Sequence, residues 1–316
     1  MKPIFAARAA LPVALLAALC LLAGCGKQAP ASVPAPTAAV SAPAPTAAPT
    51  ATAAPTAAPT AVPTASPAPA DPFAGCSGYD AAAADRYAAW AQQNPDDTPQ
   101  QTVARVNLGL DRPFYTDPEP VADPDAPLVL CNKYHYLPAD YAPADLTPIS
   151  AAHSNGGRAL SLRADAAAAF EQLCDGAAAQ GYTILGQSGF RSYATQKKLY
   201  SNYSARDGQA AADTYSARPG YSEHQTGLAM DICNGALPYT DFGQTAEYGW
   251  AKEHLADYGF VLHYLPDSQA ITGYQTEEWH IRYVGVPVAR RIAALGVTFD
   301  EYVAAYAAAD AAAGLI

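Results

Sequence analysis

Ser222-Glu223-His224-Gln225-Thr226-Gly227-Leu228-Ala229-Met230-Asp231 sets an imidazole and a carboxylate at either end of a run rich in small residues. Further on, Glu277-Glu278-Trp279-His280 adds a second imidazole and a spare glutamate. Two neutral imidazoles and one carboxylate would leave a zinc ion positively charged, with one position open for water. Such an ion lowers the pKa of its water and polarises a carbonyl. A nearby glutamate can take the water's proton and pass it to a leaving amine. Arg191 offers a fixed positive charge for a developing oxyanion or a substrate carboxylate. The chemistry on offer is hydrolysis with Zn2+ as cofactor.

Each of these residues also has a plainer reading. Asp231 lies between Met230 and Ile232 in an apolar strand. A buried, unpaired carboxylate is costly there, so it requires a metal, an arginine such as Arg191, or several hydrogen-bond donors. His280 follows Trp279 in another apolar strand, where a lone histidine is more often a satisfied core residue. In a straight strand Glu277 and His280 would face opposite sides, so a shared site requires a bend around Glu277-Glu278. For Arg191 the plain alternative is a surface ion pair. The joint occurrence of two histidines and a carboxylate strengthens the metal reading.

The elements that must position these groups follow from pattern. Asp80 to Gln92 is Ala-rich, with Tyr87 and Trp90 on one helical face, and Thr98 with Gln101 forms a capping box for a second helix reaching Leu108. Leu128 to Asn132 reads as a short strand, and the prolines up to Pro148 predict irregular chain. Arg163 to Gln180 is the clearest helix, with Ala168, Leu173 and Ala177 on a shared side and Gly181 after its end. Strands are expected at Tyr182–Ser188, Ala229–Cys233, Phe260–Tyr264 and Trp279–Val284. Helices are expected at Tyr193–Tyr203, Thr245–Tyr258 (with Trp250 and Leu255 inward), Val286–Leu295 and Thr298–Ala312. Helices first and strands closing the site imply an α+β fold with an antiparallel sheet.

Ahead of this lies chain of another kind. Residues 1–25 open with Lys2 and Arg8, continue through an apolar run from Leu11 to Ala23, and end in Leu22-Ala23-Gly24-Cys25. A cysteine directly after Leu-Ala-Gly resembles a bacterial lipobox, which implies cleavage before Cys25, lipidation of its thiol and an anchor in the membrane; a plain signal peptide or a retained span are the alternatives. Residues 26–72 repeat Ala-Pro-Thr units with almost nothing to bury and read as an extended tether. A net charge of −11 argues against nucleic acid as a partner. Once Cys20 leaves with the leader and Cys25 carries lipid, Cys76, Cys131, Cys174 and Cys233 remain. In an oxidising compartment the favoured pairs are Cys76–Cys131 and Cys174–Cys233; the alternative is buried free thiols.

Taken together, Ser188-Gly189-Phe190-Arg191-Ser192-Tyr193 with Gln196, then Ser222-x-His224-x-x-Gly227-x-Ala229-x-Asp231, then Glu277-x-Trp279-His280 with Arg282-Tyr283-Val284-Gly285, resemble the zinc D-alanyl-D-alanine carboxypeptidase family of VanY type. Asn132-Lys133-Tyr134-His135 and Thr298-Phe299-Asp300-Glu301-Tyr302 extend the resemblance over roughly 128–303. It implies a small α+β zinc-peptidase domain at 128–316, its central antiparallel sheet flanked by helices, preceded by a short helical extension at 73–127. It implies zinc on His224, Asp231 and His280, Glu277 as general base, and Arg191 at the transition state or substrate carbonyl. Ser222 and Gln196 would help to hold the peptide. The implied substrate is a peptidoglycan stem peptide losing its terminal D-alanine, cut by a monomer on the outer face of the membrane. An L,D-carboxypeptidase acting on tetrapeptides and a catalytically silent wall-binding lipoprotein are the alternatives. The chain departs from the family pattern at Glu278, where a proline is frequent, and at His263, where an arginine is common.

Overall fold

A four-stranded antiparallel sheet organises the computed structural model, which describes residues 71–316. The leader with Cys20 and Cys25, and the Ala-Pro-Thr tether up to residue 70, lie outside the described residues. In chain order the strands are β1 (Glu119–Pro120), β2 (His135–Tyr136), β3 (Leu146–Pro148), β4 (Ser161–Arg163), β5 (Leu185–Ser188), β6 (Ala229–Cys233), β7 (Phe260–Leu262) and β8 (His280–Tyr283). The helices are α1 (Ala84–Gln93), α2 (Pro99–Leu108), α3 (Ala164–Ala179), α4 (Tyr193–Asp207), α5 (Gln209–Ala212), α6 (Ala246–His254), α7 (Gln269–Thr272), α8 (Val286–Leu295), α9 (Phe299–Ala305) and α10 (Ala307–Ala312). The central sheet has the order β5-β6-β8-β7, and β1–β2 and β3–β4 form two small satellites. The expected α+β class with a central antiparallel sheet is what the structure has. Among the described residues, no helix is long and apolar enough to cross a membrane.

Alternation along the strands divides the sheet into a core face and a site face. Met230 and Ile281 face each other across β6 and β8 and bury into a core with Ile232, Phe260 and the inner side of α3. One residue along, Asp231 pairs with His280 and Ala229 pairs with Arg282, on the opposite face. A second cluster, built on Val261, Val288, Ile292, Phe299 and Tyr302, joins α8 and α9 to the sheet. The first helices have their own cluster around Phe73, Tyr87 and Val103 and lean on α9. Ser77 Oγ donates to Ala305 O at 2.6 Å, and Asn107 Nδ2 donates to Ala304 O at 3.2 Å.

Several expectations shift. Leu128–Asn132 is not a strand, because Asn132 Oδ1 accepts the N–H groups of Tyr134 and His135 at 3.0 and 3.1 Å, and this side-chain turn replaces ladder bonds. Pairing begins instead at His135, against β1. Tyr182–Ile184 is likewise not strand, since the N–H groups of Gly181 and Tyr182 return to Ala178 O and Ala177 O and close α3 in a Schellman motif. The inner side of α3 is formed by Ala166, Ala167, Phe170, Leu173, Cys174 and Ala177, while Ala168 is exposed. α4 continues past Tyr203 to Asp207, and the last helix divides at Tyr306. Cys76, Cys131, Cys174 and Cys233 are all free, which overturns both expected disulfides. Burial raises the Cys131 thiol, which donates to Gly220 O at 3.4 Å. Buried cysteines of this kind behave as small apolar residues.

Candidate metal centre

His224 sits in a tight 3-10 turn, Glu223–Thr226, between Ser222 and β6. The turn is held locally: Thr226 Oγ1 donates to Glu223 O at 2.6 Å and accepts from the Leu228 N–H at 3.0 Å. It ends at Gly227 with φ 69°, a left-handed conformation; a Cβ there would also press on Arg163 and Leu146 at 3.1 Å. The chain then enters β6 with Asp231 placed directly across from His280 on β8 and from Ser188 on β5. A register shift between Gly186 and Ser188 sets that last pairing. The required bend before β8 is present: His280 N–H returns to Glu277 O at 3.1 Å, which brings Glu277 back over the site.

The donor atoms converge. Asp231 Oδ1 lies 3.3 Å from His224 Nε2 and 3.2 Å from His280 Nδ1, and the three residues form a buried group whose ligand atoms lie within 4.8 Å of one another. Zinc bonds of about 2.0–2.1 Å in a tetrahedron put neighbouring ligand atoms ~3.3 Å apart, so these separations fit one ion. Each ring is also set in the right tautomer. His224 Nδ1 faces only the carbonyl of Gly189, at 2.8 Å, so it carries the hydrogen and leaves Nε2 free. His280 Nε2 faces Glu223 Oε2 at 3.1 Å, which leaves Nδ1 toward Asp231. Burial opposes the charge on Asp231, yet His224 and His280 hold its carboxyl well below the usual range. Burial likewise disfavours a charged His280, but its hydrogen bonds to Asp231 and Glu223 prevail and raise it to about 10 without an ion. A metal taking up Nδ1 replaces that proton.

Around this centre is a cleft of about 380 Å³. Glu277 and Arg191 face it, and Ser222, Gln196, Tyr239 and Trp279 are among its lining. Glu277 Oε2 is 3.8 Å from His280 Nδ1, and burial raises the Glu277 carboxyl to about 7, against the lowering pull of His280. Glu278 is not part of the cleft lining; its carboxylate lies against Gly243. Arg191 donates through Nη2 to Ser188 Oγ at 2.8 Å and through Nη1 to Gln196 Oε1 at 3.0 Å, with Asp231 Oδ2 at 3.5 Å. Gln196 spends its other end on Ala217 O at 2.7 Å. Both amide atoms of Gln196 are thus engaged with the protein, and its contact with a peptide is subordinate to its grip on Arg191. Ser222 is buried in the cleft wall, at the start of the turn that carries His224.

Behind these three residues lies a charged layer whose pairing the motifs did not disclose. Glu223 is wholly buried: Arg282 Nη1 donates to its Oε1 at 2.6 Å, and His263 Nδ1 donates to its Oε2 at 2.6 Å. His263 Nε2 donates to Asp300 Oδ2 at 2.5 Å, and Asn132 Nδ2 donates to Asp300 Oδ1 at 3.0 Å. Glu223, His263 and His280 also form a buried trio of possible ligands. Its His263–Glu223 contact of 2.6 Å is that of a charged hydrogen bond and is too short for two ligands of one ion, and Arg282 already supplies the cation. One signal could have found part of this layer: His280 and Arg282 are two apart in a strand, so they share a face.

The chain is similar to known carboxypeptidases. Residues 159–286 match the VanY family model, described as D-alanyl-D-alanine carboxypeptidase. The putative carboxypeptidase YodJ of Bacillus subtilis is 33% identical over 222 residues, 67% of this chain and 81% of that protein. A D-alanyl-D-alanine carboxypeptidase of Enterococcus faecalis is 33% identical over 184 residues, 55% of this chain and 65% of the relative. Among solved structures, the LD-carboxypeptidase LdcB superposes with a TM-score of 0.55 at 37% identity, covering 58% of this chain and 88% of that one.

Proposed function

This chain belongs to the VanY family of D-alanyl-D-alanine carboxypeptidases, and from that premise we propose that it removes the C-terminal D-alanine from peptidoglycan stem peptides outside the cell membrane. The observation that carries the reading is the convergence of His224 Nε2, Asp231 Oδ1 and His280 Nδ1 beside Glu277 in one cleft. A zinc ion held by those three atoms would supply an activated water and a positive charge against the scissile carbonyl. Glu277 accepts the proton of the attacking water and returns it to the departing amine; burial raises its carboxyl, to about 7 without an ion, and so favours its taking up that proton. Arg191, aimed by Ser188 and Gln196, offers N–H donors to the developing oxyanion or to the terminal carboxylate. Tyr239 and Trp279 meet edge to face, with ring centroids 5.5 Å apart, and wall the cleft beside Glu277.

The full chain reloaded with zinc should release D-alanine from a pentapeptide stem and stop when a chelator is added. Absence of release from zinc-replete protein refutes the substrate assignment. A second reading, cleavage of tetrapeptide stems by an L,D-carboxypeptidase, is favoured by the likeness to LdcB. The metal centre would be the same, so mass spectrometry on tetra- and pentapeptides offered in parallel decides between them. The lipobox-like Leu22-Ala23-Gly24-Cys25 and the following tether support a lipid anchor on Cys25 and a separate wall-facing domain after residue 72. A Cys25→Ser chain that still incorporates labelled palmitate and stays in the membrane fraction would refute the anchor.

A further inference from the structure

Glu223 stands beside a ligand in sequence and behind a different ligand in space. Its Oε1 is spent on Arg282 at 2.6 Å, and its Oε2 is shared between His263 at 2.6 Å and His280 at 3.1 Å. His263 has a carboxylate on each ring nitrogen, and each can only accept, so both nitrogens carry hydrogen and the ring is an imidazolium. Glu223 and Asp300 then balance Arg282 and His263, charge for charge. His280 is not needed to neutralise this layer, and a neutral His280 can give its Nε2–H to Glu223 while Nδ1 stays free.

We infer that Glu223 is a positioning residue for the metal centre: it fixes the tautomer and the ring plane of His280 and is itself clamped by Arg282 and by the His263–Asp300 pair reaching in from β7's end and α9. The alternative is a buried ion pair that serves only stability. In that role Glu223 is satisfied by Arg282 and His263, which gives no reason for its further contact with His280. Carboxylates that accept the outer N–H of a ligating histidine raise its basicity and hold its orientation, and their loss costs 10–100-fold in metal affinity as a rough rule. The clamp also gives α9 a part in the site, since Asp300 belongs to its first turn.

The inference rests on the zinc reading above. Its test is the zinc dissociation constant of the full chain, measured by competition with a chromogenic chelator. The visible spectrum of the cobalt-loaded protein serves as a second readout. Glu223→Gln should weaken zinc by about 10–100-fold and change the cobalt bands. Gly176→Ala, a packing variant remote from the site, should lose stability and keep wild-type affinity and bands. A folded Glu223→Gln chain with wild-type affinity overturns the inference, as does an equal loss of affinity in Gly176→Ala. Should Glu223→Gln not fold, Asp300→Asn takes its place: weakened zinc supports the clamp and unchanged zinc overturns it. A wild-type chain that takes up no zinc overturns the metal reading itself, a result distinct from any of these.

Discussion

Glu277 and Glu278 are neighbours in sequence, yet the first lies 3.8 Å from His280 Nδ1 in the cleft and the second has its carboxylate against Gly243. Glu277→Gln should therefore cut turnover by about 10²–10⁴-fold with zinc content unchanged. Glu278→Gln should stay close to wild type, as read by D-alanine release and metal analysis. The base must be ionised to work, so activity is lost as pH falls through the Glu277 value. Burial sets that value at about 7 without an ion, and a neighbouring cation lowers it. The acid limb of kcat/KM should then lie between the ordinary glutamate value of about 4.3 and 7. A limb above pH 7 would contradict the assignment. At this scale the sequence was informative where chemistry is written in short motifs: His224, Asp231, Glu277, His280 and Arg191 all reach one cleft. Glu223, His263, Arg282 and Asp300 were not legible, because their partners are separated by 37 to 59 residues. No local pattern announces such a pairing.

Elements deliver these residues through register and caps. A one-residue slip of β8 against β6 would put Ile281 opposite Asp231 and turn His280 into the core. Helix α9, which brings Asp300, starts in a capping box in which Thr298 Oγ1 accepts from the Glu301 N–H at 3.1 Å. Thr298→Ala should cost about 1 kcal/mol in urea unfolding. Two helical glycines should respond in opposite senses. A Cβ on Gly176 of α3 would sit 1.9 Å from Tyr258 Oη, so Gly176→Ala should destabilise by about 1–3 kcal/mol. A Cβ on Gly249 of α6 meets nothing within 4 Å, so Gly249→Ala should stabilise by about 0.5–1 kcal/mol. Thermal melts in which Gly176→Ala stabilises or Gly249→Ala destabilises would refute this account of the packing. Strands and helices with strong periodicity, such as Ala229–Cys233 and Val286–Leu295, were readable to the residue. The failures came where a side chain or a helix end competed for backbone bonds, at Asn132 and at Gly181-Tyr182.

For the molecule as a whole, the proposed ligand set would couple metal to stability, since an ion that binds only the folded chain stabilises it by mass action. Zinc at a hundred times its dissociation constant is worth about 2.7 kcal/mol. For a domain of this size that should raise the melting temperature by roughly 5–10 °C over the chelated protein. Equal melting temperatures with and without zinc would count against a preformed centre. The fold class was legible from the order of helices and strands, but the state of the cysteines was not, because spacing says nothing of where thiols end up in space. The seam where Ser77 meets Ala305 carries a consequence for biosynthesis, since it joins residues 228 apart in the chain. A ribosome delivers α1 and α2 long before α9, and loop closure over that span must precede any gain from the contact. The first-made helices therefore wait for α9, and a chain arrested before Ala305 lacks both the seam and a complete helix to steady Asp300.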